Sequence, residues 1–206
     1  MSLKIREMLI GHPTRLRYVV RFSTCHKVHP ENVAEHSYYV ALYAMLIADW
    51  CDAIPGQSVP MIDHYTLMRK AILHDLEEAI TGDVNRIFKY SLPEVKEALD
   101  CGAEYAFATL TCALTDDESA ASDYQDTWKR CKDDSVEGRI IKFCDYLAVL
   151  SYMTQELTNA NITMREHWTT MHDYAAEFHK PCYELLRPLV EQADALLHEA
   201  FARGRG

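Results

Sequence analysis

A-I-L-H-D-L-E-E-A-I-T-G-D, residues 71–83, has the apolar spacing of an amphipathic helix that carries a histidine and an aspartate side by side. His74 and Asp75 are about 100° apart around a helix, so both side chains can reach one common point. Glu78 follows one turn later and lies on the same side. An imidazole and a carboxylate among apolar residues are costly to bury unpaired, and a bound metal ion is a common way to satisfy them. The segment therefore indicates a metal site in a helical protein.

A second His-Asp dipeptide provides a comparison within the same chain. His172 and Asp173 also lie in a stretch with helical spacing, and Glu177 follows nearby. The dipeptide alone is therefore weak evidence, and a surface His-Asp pair is the simpler interpretation of either copy. The first copy differs because three features accompany it: an upstream helix with a histidine, an acidic T-G-D turn, and a later apolar helix with one aspartate.

Length and composition favour one globular domain. The chain has 206 residues, 49% of them apolar and 25% charged, and its 7 glycines and 7 prolines are too few for a turn-rich β-sandwich. The net charge of −10 disfavours binding to nucleic-acid polymers and to anionic membranes. No apolar run approaches the roughly 18 residues needed to span a bilayer. A small anionic substrate remains compatible with local positive charge or a metal.

Seven cysteines are scattered along the chain without a C-x-x-C pair. They are Cys25, Cys51, Cys101, Cys112, Cys131, Cys144 and Cys182. Their odd number and the lack of a signal-peptide pattern predict reduced thiols and a cytoplasmic location.

The apolar periodicity predicts helices and no convincing strand. The predicted helices span residues 2–10, 31–51, 63–80, 93–114, 136–157, 164–179 and 181–202, with one or two further turns at 14–20. Irregular segments are predicted at 23–30, 53–60 and 83–90, and the acidic run 115–126 is predicted to be exposed loop and helix start. Without repeats or linkers, the sequence predicts a single all-α domain over residues 1–206.

Capping signals mark several of these helix starts. Asn32 with Glu35 has the pattern of a capping box. Asp63 suits the cap of the helix that runs through the His-Asp pair, and Pro93 suits a first helical turn.

Four potential metal ligands stand on three of the predicted helices: His36, His74, Asp75 and Asp145. Two imidazoles and two carboxylates suit one divalent ion such as Co, Mn, Zn, Fe or Ni, with positions left for water and a substrate oxygen. A lone histidine on an apolar helix face is more often a hydrogen-bonded core residue than a ligand. Asp145 is harder to explain that way, because a carboxylate within an apolar helix needs a partner.

Four short motifs resemble the HD-domain metal-dependent phosphohydrolases, whose fold is a helical bundle. They are E-N-V-A-E-H-S at 31–37, H-D-L-E-E at 74–78, T-G-D at 81–83 and I-K-F-C-D-Y-L at 141–147. Within that family they are most similar to the bacterial 5'-deoxynucleotidases, and they also resemble phage dATP triphosphohydrolases. The resemblance covers about residues 14–150, the metal-binding core, whereas the C-terminal helices at 164–202 are similar only in being helical.

The resemblance implies roles for individual residues. Metal binding falls to His36, His74, Asp75 and Asp145, catalysis to Glu78 and Asp83, and substrate binding to Arg21 and Phe22. Glu78 would act as the acid or base, Asp83 would help to position water, and Arg21 would contact the phosphate. Phe22 stands where the 5'-deoxynucleotidases have a tryptophan against the sugar, which leaves the selectivity for deoxyribose open. Lys89, in T-G-D-x-x-x-x-x-K-Y, could also reach a phosphate, with an exposed surface lysine as an equal alternative.

The implied reaction is hydrolysis of the 5'-phosphate of 2'-deoxynucleotides, by water attack at the α-phosphorus with one divalent transition metal (Co, Mn, Zn, Fe or Ni). The alternative is a dATP triphosphohydrolase, for which Arg86 and Lys89 would serve a longer phosphate chain and Mg is a further candidate ion. More distant alternatives are a non-catalytic metal-bound HD scaffold and hydrolysis of cyclic nucleotides or guanosine tetraphosphate. The expected partners are a small deoxynucleotide and further copies of the chain, as a dimer or larger homo-oligomer, without a nucleic-acid polymer or a membrane.

Overall fold

The computed structural model describes residues 3–54 and 61–202. Its α-helices are α1 (Ile5–Ile10), α2 (Val33–Asp52), α3 (His64–Leu73), α4 (Glu78–Thr81), α5 (Arg86–Lys89), α6 (Pro93–Leu114), α7 (Glu118–Lys129), α8 (Val136–Thr158), α9 (Trp168–Glu177) and α10 (Arg187–Ala202). Short 3-10 helices occupy His12–Tyr18, Ile162–His167 and Pro181–Leu186. The described residues form no β-strand, only isolated bridges of Leu3 with Thr115 and of Val20 with Asn32. The all-α prediction is confirmed.

The helix starts follow the capping signals in the sequence. The Asn32 side chain accepts a hydrogen bond from the Glu35 amide, and the Glu35 side chain accepts one from the Asn32 amide, so the capping box of α2 is present. The Asp63 side chain accepts from the Thr66 amide at the start of α3. Pro93 is the first residue of α6, where its missing amide proton costs no helical hydrogen bond.

The prediction of one unbroken helix over residues 63–80 is wrong at the His-Asp pair. α3 ends at Leu73, and α4 begins only at Glu78. Between them the chain makes tighter i→i+3 hydrogen bonds, such as the one from Glu78 N to Asp75 O. His74 Nδ1 donates to Ala71 O at 2.7 Å, and so engages the carbonyl that an α-helix would pair with the Asp75 amide. The histidine side chain therefore competes with the helix at this turn.

Other boundaries differ by smaller amounts. The segment predicted to be irregular at 83–90 contains α5, which the Asn85 side chain caps. The acidic run at 115–126 is mostly helical, because α7 begins at Glu118. The helices predicted at 164–179 and 181–202 both begin as 3-10 helices. Residue 2 of the first predicted helix and residues 55–60 of the predicted loop lie outside the described residues.

The core of the bundle is built around α8. Its buried side chains include Ile140, Ile141 and Phe143, and burial of each such side chain contributes roughly 1.5–3 kcal/mol. α8 contacts α2 and α3 and also α9 and α10. One core cluster extends from Val40 of α2 to Phe201 of α10, so the C-terminal helices share the core of the motif-bearing helices. This arrangement places Asp145 of α8 against the helices that carry the two motif histidines.

Two further observations concern the chain as a whole. All seven cysteines fall within the described residues, and each is a free thiol. Among residues 3–54 and 61–202, no helix has both the length and the hydropathy to cross a membrane.

Candidate metal centre and active site

The first His-Asp pair lies in the tight turn between α3 and α4, where His74 is buried. Because Nδ1 of His74 donates its proton to Ala71 O, the Nε2 of the neutral ring carries a free lone pair. Nε2 lies 3.1 Å from Asp75 Oδ2, but among the described residues it makes no hydrogen bond. A backbone carbonyl that fixes one ring nitrogen while the other remains free is the usual environment of a metal-binding histidine.

Three segments bring the predicted ligands together. His36 of α2 is fully buried, and its Nε2 lies 3.1 Å from Asp145 Oδ1 and 3.6 Å from Asp75 Oδ2 without hydrogen-bond geometry to a described residue. His36, His74 and Asp75 offer ligand atoms within 4.8 Å of one another. Asp145 adjoins this group through its contact with His36. The four predicted metal ligands are therefore neighbours, and their role as ligands remains a prediction.

The protonation states of three of these groups favour a cation. Burial, together with the charge of Arg21, lowers the pKa of His36 to about 4, so the ring is neutral at pH 7. Burial alone would raise the pKa of Asp75 and of Asp145, but the neighbouring charges, chiefly His74 for Asp75 and Lys132 for Asp145, outweigh it and lower both pKa values. Neutral imidazoles and ionised carboxylates are the forms that bind metals.

His74 differs from His36 in its protonation. Burial lowers the pKa of His74, but the negative charge of Asp75 outweighs burial, and the net pKa is raised. A proton on His74 therefore competes with a metal ion, and metal affinity should fall in acid.

Lys132 contacts both aspartates, although it lies outside the four sequence motifs. Its Nζ lies 2.6 Å from Asp145 Oδ2 and 3.8 Å from Asp75 Oδ1. The Tyr174 hydroxyl also donates to Asp145 Oδ2, at 3.2 Å. No motif or helical spacing could have found Lys132, because it lies in the loop before α8, 13 residues ahead of Asp145.

Glu78 occupies the first turn of α4, one turn after the His-Asp pair. Its Oε2 is buried without a hydrogen-bond partner among the described residues. Burial, followed by the charges of Asp75 and Asp83, raises the pKa of Glu78 to about 10, and Arg21 opposes this shift. The carboxyl group is therefore protonated at neutral pH and able to donate a proton.

Asp83 ties the T-G-D turn to the segment that carries two predicted substrate-binding residues. Gly82 ends α4 with a φ of 73°, a left-handed conformation that favours glycine. The Asp83 carboxylate then accepts the amide proton of Phe22 at 2.9 Å. This contact holds the segment that carries Arg21 and Phe22, and the role of Asp83 in positioning water remains a prediction.

Arg21 is held by the first residue of the E-N-V-A-E-H-S motif. Its Nη1 lies 3.2 Å from Glu31 Oε2, and its amide donates to Glu31 O at 3.0 Å. Glu31 positions the arginine, Asn32 caps α2, and His36 reaches the candidate metal centre. Within six residues, the motif therefore holds an arginine, caps a helix and supplies a candidate metal ligand.

Phe22 forms an aromatic wall beside Arg21. Its φ of 51° is uncommon for a residue other than glycine, which indicates that the surrounding contacts fix this turn. The ring stacks on Tyr152 with a centroid distance of 5.3 Å, and the Arg21 guanidinium lies 5.5 Å from its centroid.

A buried acid of α8 that no sequence pattern distinguished anchors the segment 23–30. Glu156 is fully buried, and it accepts the amide protons of Val28 and His29, each at 2.7 Å, and a side-chain proton of Asn161 at 2.6 Å. Burial would raise the pKa of Glu156, but these hydrogen bonds lower it, so the group remains ionised. In the sequence Glu156 is one acid among many, and no spacing distinguishes it.

One cavity of about 240 Å³ connects these groups. Its walls include all the predicted catalytic and substrate-binding residues: Arg21, Phe22, Glu78, Asp83 and Lys89. Asp75, Asp145 and Lys132 also line it, and the two motif histidines are buried next to the aspartates. A second, wider groove of about 740 Å³ shares Lys132, Asp145 and Arg86 with this cavity and adds Lys142.

Comparison with known sequences relates the chain to nucleotide hydrolases. A family model described as 5'-deoxynucleotidase YfbR-like matches residues 9–190. The 5'-deoxynucleotidase VP0926 of Vibrio parahaemolyticus is 23% identical over 189 residues, which cover 85% of this chain and 93% of that protein. A dATP triphosphohydrolase of Salmonella phage PMBT28 is 33% identical over 89 residues, 42% of this chain and 44% of the phage protein.

Comparison with solved structures identifies the fold. An HD-domain phosphohydrolase from Listeria innocua superposes with a TM-score of 0.65 at 20% identity, over 96% of this chain and 99% of that one. The HD phosphohydrolase DatZ of cyanophage S-2L, bound to dA and one catalytic Zn²⁺ ion, has a TM-score of 0.57 at 18% identity, over 92% and 96% of the two chains. The fold is that of the HD-domain phosphohydrolases. From its match to the family model over most of its length, the chain belongs to the YfbR-like 5'-deoxynucleotidase family.

Proposed function

We propose that this protein is a divalent-metal-dependent enzyme that hydrolyses the 5'-phosphate of 2'-deoxynucleoside monophosphates. The observation that carries this proposal is the group of buried, unpaired imidazole nitrogens of His36 and His74 beside the oxygens of Asp75 and Asp145. These atoms adjoin the cavity that Arg21 also lines. A metal-dependent phosphohydrolase must hold a water molecule, a phosphate and an acid beside its ion. Metal ligands next to a cavity that contains an arginine meet this requirement.

The donor set suits a divalent transition ion. Two imidazoles and two carboxylates are ligands for Co, Mn, Zn, Fe or Ni, and the Zn²⁺ bound by the DatZ structure is one of these ions. The unpaired Nε2 atoms support this assignment, because a buried polar atom without a partner is costly in a protein that never binds a ligand there. A bound ion would lower the pKa of a water molecule and neutralise negative charge on the phosphate.

Glu78 is proposed as the proton donor to the leaving 5'-oxygen. Its carboxyl group is buried and lines the cavity, and burial raises its pKa, which favours the protonated form that a general acid needs. Hydrolysis breaks the bond between phosphorus and the 5'-oxygen, and the nucleoside leaves as an alcohol once that oxygen has gained a proton. Water supplies the new oxygen of the phosphate, so no covalent enzyme intermediate is required.

Arg21, Phe22 and Lys89 are proposed to hold the substrate. The guanidinium of Arg21 matches a phosphate through two parallel hydrogen bonds, and its contact with Glu31 keeps it in place. The Phe22 ring offers an apolar surface for the deoxyribose. Lys89 is half-buried at the cavity and provides a further positive charge.

A dATP triphosphohydrolase is the second candidate, and the groove beside the cavity favours it. Arg86 and Lys142 line this groove and could accompany a chain of phosphates. The phage relative supports this alternative over less than half of the chain, whereas the Vibrio relative supports the monophosphate reaction over 85%. The monophosphate reaction is therefore preferred.

Product analysis separates the two candidates. The protein is incubated with ribo- and deoxynucleoside mono-, di- and triphosphates in the presence of Mn²⁺, Co²⁺, Zn²⁺ or Mg²⁺, and phosphate, pyrophosphate and triphosphate are measured. The proposal expects inorganic phosphate from deoxynucleoside monophosphates. Release of triphosphate alone, from one deoxynucleoside triphosphate, would contradict it.

The cytoplasmic location and the homo-oligomer remain predictions, which fractionation of the source cells and light scattering of the purified protein can test.

A further inference from the structure

Lys132 belongs to none of the four sequence motifs, yet it faces the centre of the candidate site. Each motif aspartate has one oxygen toward a histidine, as in the 3.1 Å contacts of Asp75 Oδ2 with His74 and of Asp145 Oδ1 with His36. The other oxygen of each aspartate is the one nearer to Lys132, at 3.8 and 2.6 Å from Nζ. The ammonium group and the histidine nitrogens therefore use different carboxylate oxygens and do not compete for one position.

The loop that carries Lys132 is fixed by buried contacts. Lys70 is 4% exposed, and its Nζ donates to Asp133 Oδ1 and to Ser135 Oγ, both at 2.8 Å. Gly138 lets this loop approach α8, because a Cβ at that position would lie 2.2 Å from Asp133 Oδ1 and 2.5 Å from Asp133 O. The backbone that follows Lys132 is thus held in place.

The charges at the site leave Lys132 available for an anion. A divalent ion on the histidine side would match the two negative charges of Asp75 and Asp145. Arg21 already has Glu31 as its own counter-ion. The positive charge of Lys132 would then no longer be balanced by these two aspartates. A lysine ammonium has three donors, so hydrogen bonds to the aspartates leave donors for a further acceptor.

We propose that Lys132 is a phosphate-binding residue, which contacts the 5'-phosphate of the substrate when a divalent ion occupies the His-Asp centre. The proposal rests on the proposed phosphohydrolase function and adds a cation from outside its motifs. It implies that metal and phosphate bind cooperatively, because the metal neutralises the two aspartates that otherwise offset the charge of Lys132. The Lys132 side chain is 36% exposed and lines both the cavity and the adjoining groove. It is therefore accessible to a ligand that enters from solvent.

Binding measurements on Lys132→Met test this role. Lys129→Met is the matched control, because Lys129 forms an exposed pair with Glu104 on the preceding helix. Calorimetry uses two probes, inorganic phosphate and 2'-deoxyadenosine, with and without Mn²⁺, and the metal content of each variant is measured separately. We expect Lys132→Met to bind phosphate about tenfold or more weakly in the presence of Mn²⁺, the effect of losing one charge-assisted hydrogen bond. Metal content and 2'-deoxyadenosine affinity should match those of the control, and Lys132→Arg should recover most of the phosphate affinity.

Two outcomes would overturn the proposal. Unchanged phosphate affinity in Lys132→Met would show that the ammonium does not contact the phosphate. Loss of bound metal in that variant would show that Lys132 supports the metal ligands instead. Phosphate binding is measured without turnover, so a wild-type protein that binds phosphate but hydrolyses no deoxynucleotide would contradict the proposed function and leave this test intact.

Discussion

The chain contains two His-Asp dipeptides in helical surroundings, and the structure gives them opposite environments. The side chains of His74 and Asp75 are 0% and 14% exposed, whereas those of His172 and Asp173 are 57% and 75% exposed. The first pair meets His36 across the core, while the closest approach within the second pair is 3.9 Å, at the surface. The same dipeptide thus forms part of a candidate metal centre at residues 74–75 and a solvent-exposed pair at residues 172–173.

Packing explains the difference between the two dipeptides. α3 contacts both α2 and α8, so the turn that ends it is enclosed by helices that bring a second histidine and a second aspartate. α9 buries Met171 and Ala175, and its polar residues His172 and Asp173 remain on the exposed surface. The chemistry of the motif therefore depends on its tertiary neighbours, which can be tested by changing the two regions in parallel.

The largest expected difference comes from paired aspartate variants. Asp75→Ala should lower kcat/KM for deoxynucleotide hydrolysis by about a thousandfold or more, because several kcal/mol of metal-dependent stabilisation are lost. Asp173→Ala should retain wild-type activity. Steady-state kinetics with the preferred metal measure both, and circular dichroism confirms that each variant is folded. Equal losses in the two variants would remove the distinction between the dipeptides.

A somewhat smaller effect is expected at the acid that follows each dipeptide. Glu78→Gln should bind the metal normally but reduce kcat by roughly a hundredfold or more, the usual contribution of a general acid or base. Glu177→Gln is the matched control, since Glu177 lies in an exposed pair with Lys180. Rates under saturating substrate and the metal content of each variant provide the measurement. A fully active, metal-bound Glu78→Gln enzyme would exclude Glu78 from proton transfer.

An intermediate effect is expected at Arg21, the arginine proposed to bind phosphate beside the first dipeptide. Arg21→Lys should raise KM about tenfold, because an ammonium group cannot reproduce the paired hydrogen bonds of a guanidinium. The exposed Arg17, which bonds only the Thr14 carbonyl among the described residues, offers Arg17→Lys as control. Initial rates over a range of deoxynucleoside monophosphate concentrations give KM and kcat separately. An unchanged KM would indicate that Arg21 serves only its contact with Glu31.

The smallest expected effect is on stability in the metal-free protein. The pKa of Glu78 is raised to about 10 in the folded chain, above its ordinary value of 4.5. Between these values the unfolded chain has lost a proton that the folded chain retains, so stability falls as pH rises. Glu78→Gln removes this dependence, and its melting temperature at pH 8 should exceed that of the wild type by at least about 2 °C.

Melting curves between pH 5 and 9 test this prediction, with Glu177→Gln as the control at the second dipeptide. The advantage of Glu78→Gln should grow with pH, and Glu177→Gln should follow the wild type throughout. A wild-type melting temperature that rises in parallel with the variant toward pH 9 would indicate that Glu78 is ionised in the folded protein.

Local sequence signals predicted much of the fold. The Asn32–Glu35 capping box, the Asp63 cap and Pro93 at the start of α6 are interactions within a few residues, so a pattern reports them directly. The four predicted ligands are neighbours in the structure. This could be predicted because apolar periodicity indicated that their helices face the core.

Other features of the site could not be predicted. The break at His74 depends on a side-chain hydrogen bond that competes with the helix, and propensity does not record such a bond. Lys132 and Glu156 acquire their significance only from partners that α8 and the 23–30 loop bring to them. In the sequence alone, these two residues cannot be distinguished from any surface lysine or glutamate.

The central claim is that His36, His74, Asp75 and Asp145 bind one cation, and anomalous X-ray diffraction from crystals grown with Zn²⁺ tests it most directly. We predict one anomalous peak about 2.0–2.2 Å from an Nε2 of each histidine and a carboxylate oxygen of each aspartate. No peak at His172 and Asp173 is expected in the same map. An empty centre, or a peak only at the second dipeptide, would contradict a metal-dependent hydrolase at this site.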